Sequence, residues 1–79
     1  MNNKNKSYKT VDLYLASFLK ASGVRFIDIN GPDKKAIFIF EDTPEVHELA
    51  KEFHKNGKVG VTDYNHALRD FKSMIFNRD

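Results

Sequence analysis

The chain reads as an α+β domain in the order helix, strand, strand, helix, helix, an antiparallel β-hairpin covered by helices. Two observations predict this. Three segments place apolar residues on one face at the 3.6-residue helical period. Between the first and second of them lie two Ile- and Phe-rich runs joined by NGPDKK, whose residue mix favours turning.

The first nine residues are polar and include Lys4, Lys6 and Lys9, so residues 1–8 read as a flexible basic arm with Tyr8 anchoring its end, ahead of one compact domain over 9–77. Thr10 suits an N-cap, and Asp12 suits the first turn, where its charge meets free N–H groups. Val11, Tyr14, Leu15, Phe18 and Leu19 then share a face, and Gly23 ends the helix, giving a span of about 10–22. Leu13 lies nearly opposite that face, beside Ala16 and Lys20.

Val24 to Asn30 and Lys34 to Asp42 form the hairpin, whose pairing register stays open because one slip exchanges the partners of Ile27 and Ile29. Thr43 caps the next helix with Pro44 at its first position, or Asp42 with Glu45 starts it one residue earlier as a capping box. Val46, Leu49, Ala50 and Phe53 form its stripe, and Asn56 and Gly57 end it. Lys58 to Val61 reads equally as a short third strand or as a simple crossing. Thr62 or Asp63 then caps a last helix, with Tyr64, Ala67, Leu68, Phe71, Met74 and Ile75 on one face as far as Phe76.

The hairpin is apolar on both faces: Ile27, Ile29, Ile37 and Ile39 alternate with Val24, Phe26, Phe38 and Phe40. A ribbon wetted on one side would alternate apolar with polar residues, so something must cover both. The isoleucines are assigned to the core, with Val11, Leu15, Phe18, Val46, Leu49, Phe53, Leu68, Phe71 and Ile75. Phe26, Phe38, Phe40 and Leu13 are then left to meet a partner. Seventy-nine residues bury only about 60% of their unfolded surface, and no cysteine supplies a disulfide or thiolate site, so packing or self-association must stabilise the fold. A homodimer joined at the sheet is the simplest arrangement.

The composition, 41% hydrophobic and 30% charged, is that of a folded domain rather than a disordered one. No signal peptide is legible, and the longest apolar run, Ala36 to Phe40, is far short of a membrane span, which makes the cytoplasm the default location. The first helix carries too few basic residues to lie on a membrane.

No metal, cofactor or catalytic residue is expected. His47 and His54 stand two helical turns apart, about 10.5 Å, with Lys51 between them, and neither groups with His66. Asp12 and Asp63 belong to helix starts and Asp70 to an outer helix face, leaving Asp28 as edge protection, an ion pair with Lys20 or Lys35, or a polar spot at an interface. No nucleophile elbow, HExxH or phosphate loop occurs.

A net charge of +2 does not by itself imply a nucleic-acid partner. The distribution offers one: the arm with Lys4 and Lys6, the hairpin tip with Lys34 and Lys35, and Arg69 and Lys72 on the last helix could contact phosphates. Glu45, Glu48, Glu52 and Asp70 dilute that field.

The segments YKTVDLYLASFLKASGV, AIFIFED and VTDYNHALRDFKSMIF together resemble a small bacterial and phage-associated family of domains of unknown function, over roughly Tyr8 to Phe76. Tyr14, Tyr64 and Leu68 match recurrent positions of that pattern. The resemblance implies a helix, a hairpin and two following helices, with no activity and no functional positions to carry over. The reading is therefore a non-enzymatic accessory or regulatory domain acting by protein association, most simply as a homodimer, with a small nucleic-acid-binding protein as the alternative.

Overall fold

The computed structural model describes residues 7–31, 35–55 and 60–76, with Val61 described by its backbone alone. Along the chain run β1 (Ser7–Thr10), α1 (Leu13–Ala21), β2 (Phe26–Asn30), β3 (Ile37–Glu41), α2 (Pro44–His54) and α3 (Val61–Phe76). The α+β architecture expected from the sequence is present, with an added strand. The sheet is antiparallel in the order β1-β3-β2, so the most apolar strand is central.

The third strand among the described residues comes from Ser7–Thr10; of the stretch 58–61, Val61 already opens α3 and residues 58–59 lie outside the described residues. Ser7 and Tyr8, assigned to the arm, pair with Glu41 and Phe40. An apolar central strand with a neighbour on one side only would leave a row of unpaired N–H and C=O groups, and SYKT satisfies that row mainly through its backbone.

Strand β1 also moves the start of α1. The backbone of Thr10 is committed opposite Phe38, so capping passes to Asp12, whose Oδ1 accepts from the Tyr14 N–H at 2.9 Å and the Leu15 N–H at 3.2 Å. Thr10 Oγ1 in turn accepts from the Asp12 N–H at 3.1 Å. At the far end Gly23, at φ +97°, donates to the Lys20 carbonyl while Val24 donates to that of Leu19, the paired bonds of a Schellman motif. Leu15 through Leu19 are all buried, so α1 is enclosed on several sides, in contact with α2, α3 and the sheet. Buried Ser17 is satisfied by donating to the Leu13 carbonyl at 2.9 Å.

The register of β2 and β3 explains the faces of the hairpin. Phe26 opposes Phe40, Ile29 opposes Phe38, Asp28 opposes Ile39 and Asn30 opposes Ile37, with Ile27 extra in a bulge. Strict alternation puts Phe26 and Ile29 on opposite faces; the bulge puts them on the same one. The core assignment is therefore reversed for Ile27, Ile37 and Ile39 and kept for Ile29. Phe38 (1% exposed) and Phe40 (0%) face the helices, with Phe26, Ile29 and Val24 packed against them, whereas Ile27 is 51% exposed and Ile37 and Ile39 share the opposite face with Asp28 and Asn30. Phenylalanine removes more apolar surface from water, so the larger rings take the covered side. Val11, also assigned to the core, is 67% exposed, because the chain turns there between β1 and α1.

Phe71 of α3 closes the core. Its ring centroid lies 4.8 Å from that of Phe38, 5.0 Å from Phe26 and 6.5 Å from Phe40. Phe53 of α2 meets Phe18 of α1 at 5.4 Å, and Val46 is fully buried. Thr43 is the cap of α2, its Oγ1 accepting from the Val46 N–H at 3.2 Å, with Pro44 in the first turn; Lys55 closes the helix ahead of Asn56 and Gly57, which lie outside the described residues. Helix α3 starts earlier than Thr62 or Asp63 would allow as caps, with the Tyr64 N–H donating to the Gly60 carbonyl at 2.9 Å.

Phe71→Ala should lower stability by about 3–5 kcal/mol, because it empties the space between three rings. Phe76→Ala, at a residue 83% exposed, should stay within about 0.5 kcal/mol. Urea denaturation of both variants checks this; equal midpoints would refute the central place given to Phe71.

Candidate association surface

All three helices contribute to one core on the phenylalanine face of the sheet. The other face carries Ser7 and Lys9 from β1, Ile37, Ile39 and Glu41 from β3, and Asp28 and Asn30 from β2, with Ile27 on the bulge. Among the described residues no element covers it. Lys9, Ile39 and Asp28 form a row across the strands, a cation and an anion flanking an isoleucine. The Asp28 carboxylate accepts from the Ile29 N–H at 2.8 Å, and among the described residues it pairs with neither Lys20 nor Lys35.

The residues expected to meet a partner are thus redistributed. Phe38 and Phe40 are core, Phe26 is half-buried against Phe71, and the open face belongs to the isoleucines. Leu13 is half-buried and packs against the core. With Val11, Lys35, Ala36, Phe38 and Ile75 it lines a cleft of about 340 Å³ between the start of α1, the hairpin and the end of α3. The sequence signal that would have found the open face is Asp28: its acidic group marks the wetted side once the bulge is counted.

Of the expected phosphate contacts, Lys35, Arg69 and Lys72 are exposed, while Lys4, Lys6 and Lys34 lie outside the described residues. Lys35 borders the apolar cleft and Arg69 has Asp70 beside it in sequence. Phe38 and Phe40 lie beneath the helices and offer no stacking platform for bases.

A second cleft of about 330 Å³ lies between the end of α1 and the first half of α3, lined by Lys20, Ala21, Asp63, His66, Ala67 and Asp70. Its acidic groups and His66 are spread along α3, facing Lys20 of α1, and among the described residues no three His, Asp or Glu side chains are grouped to hold a metal ion. His47 is more than the plain surface histidine its sequence suggests. Its Nε2 is 2.6 Å from Asp42 Oδ1, and its ring meets that of Tyr8 edge-on at 5.3 Å. This explains why Asp42 leaves capping to Thr43, and it ties α2 to the edge strand β1. Among the described residues no helix is long and apolar enough to cross a membrane.

With the fold and its surfaces in place, comparison with known families is decisive on one point. Residues 5–77 match the family described as a domain of unknown function (DUF5659). The chain belongs to that family. Neither the curated proteins nor the solved structures give a significant match. A function for this member of the family therefore has to be argued from its own surface.

The Tyr64 hydroxyl is held above the ordinary value of 10.0, first by burial and then by the negative charge of ionised Tyr14 and of Asp12. Its folded-state preference for the proton contributes stability that is fully present below the unfolded value and is lost as pH rises through the folded value. Difference titration at 295 nm between the wild type and Tyr64→Phe should place this ionisation above that of a free tyrosine. Tyr14→Phe should bring it only part of the way back, since burial remains; complete return would assign the shift to charge instead.

Proposed function

We propose that this domain is a non-enzymatic accessory or regulatory module that works by protein association, through the open face of its sheet. The observation that carries the reading is the placement of Ile27, Ile37 and Ile39 on the side away from every helix. A sheet that uses one face for its core can keep the other wetted with polar residues. Here the central strand instead presents isoleucine at two of its three outward positions, Ile37 and Ile39, with Glu41 at the third. Ile27 is exposed and Ile37 and Ile39 are half-buried between their strand neighbours, and apolar surface rimmed by polar groups is the usual mark of an association site.

The alternative, nucleic-acid binding, draws on Lys35, Arg69 and Lys72 without the stacking surface that an open phenylalanine face would have supplied. It predicts affinity that falls steeply with salt, whereas an isoleucine contact keeps its core strength.

A photo-reactive amino acid placed at position 39 of the full chain in living cells tests the proposal, with position 45 on the exposed side of α2 as control. The expected result is a protein-sized adduct from position 39 and none from 45. Adducts to nucleic acid alone, or equal labelling at the two positions, would overturn it.

A further inference from the structure

We propose that the open face is covered by a second copy of this chain, packed face to face about a two-fold axis that runs along β3. The inference rests on the association reading above and names its partner. The face is complementary to its own image: Lys9 on β1 and Asp28 on β2 stand at opposite ends of one row, with Ile39 of the central strand between them.

Two-fold symmetry makes each copy present the same patch to the other. An axis lying along β3 between the two sheets exchanges the β1 and β2 sides while keeping position along the strands. Ile39 then meets Ile39 of the other copy, Ile37 meets Ile37, Lys9 lies over Asp28 at both ends, and Glu41 meets Glu41 at the exposed end of the strand. An axis running across the strands through the Ile39 row keeps the β1 and β2 sides in place and reverses position along the strands. It would set Lys9 over Lys9, Asp28 over Asp28 and Ile37 over Glu41, with like charges juxtaposed and an isoleucine against a carboxylate. The first arrangement makes two opposite-charge pairs against one like pair, the second two like pairs and no opposite one, so the charge pattern favours the first.

Edge-to-edge pairing is disfavoured on the β2 side, where the bulge at Ile27 bends the strand and Asp28 follows it. Face-to-face packing needs no free edge and brings sheets to their ordinary spacing of about 10 Å. Three strands of about five residues offer a footprint of roughly 14 by 17 Å. That is well below the roughly 800 Å² per partner of a standard interface, so the dimer is in concentration-dependent exchange with monomer.

Sedimentation equilibrium of the full chain from about 10 μM to 1 mM tests this, a range that spans weak association. The mass of the wild type should climb from one chain towards two. Lys9→Asp makes both charges of the row negative and Asp28→Lys makes both positive, so each variant alone should associate at least about tenfold more weakly. Mixed in equal amounts, the two variants should associate with each other about as well as the wild type with itself, since each charge again faces its opposite. Circular dichroism and thermal midpoints of the single variants confirm that they are folded, and restoration on mixing cannot come from a misfolded chain. A wild type that stays monomeric at the highest concentration, or folded single variants that stay apart on mixing, would overturn the proposal. If position 39 still forms adducts with another protein in cells, the association reading stands and the second copy falls; if it forms none, both fall.

Discussion

Everything in this fold is arranged around the ring of Phe71. It is fully buried and within aromatic contact of Phe26, Phe38 and Phe40, so one side chain from the last helix touches both strands of the hairpin. Such contacts add to ordinary burial, at about 0.5–1.5 kcal/mol for a favourable aromatic pair. A domain of this size has few other apolar groups to spend, and once three phenylalanines are turned towards Phe71 the neighbouring isoleucines on β3 must point the other way. The open face is thus the geometric counterpart of the core. The side of the sheet that would bind is set by the side that must fold.

Helix α1 makes a second, related demand. Five consecutive buried residues, Leu15 to Leu19, cannot belong to a helix with one dry stripe. Ala16 and Ser17 are small enough to let neighbouring backbones come close, and the Ser17 hydroxyl finds its acceptor within the helix. Both α2 and α3 pack against α1. The helical layer therefore has its own interior, and among the described residues no helix is left for the far side of the sheet.

Much of this was legible from residue patterns. The periodic faces of α2 and α3 located Val46, Leu49, Phe53 and Phe71 because helical spacing is insensitive to distant pairing. Thr43 with Pro44, and Gly23, marked helix ends through chemistry local to the chain. Strand β1 was hidden because SYKT contributes backbone bonds and only one large side chain to the core side. The faces of the hairpin were hidden by a single extra residue at Ile27, since a period of two carries no memory of where it slips. The candidate surface was misplaced for the same reason: Leu13 was seen as unusual, but Ile27, Ile37 and Ile39 exchanged roles with the phenylalanines while Ile29 stayed on the core side. Asp28 held the clue, being acidic where an uninterrupted alternation would have buried it.

The order of the strands has a consequence for the timing of events. Pairing Asn30 with Ile37 closes a loop about one quarter as long as pairing Thr10 with Phe38, a difference of roughly 1.2 kcal/mol in chain entropy. Chain entropy therefore favours closing the hairpin before β1 docks, and β1 is then held by its ladder and by the Tyr8 contact with His47. Lys9 is carried on that strand. A partner that contacted Lys9 on the sheet would therefore meet that charge in this place only once the edge strand has docked.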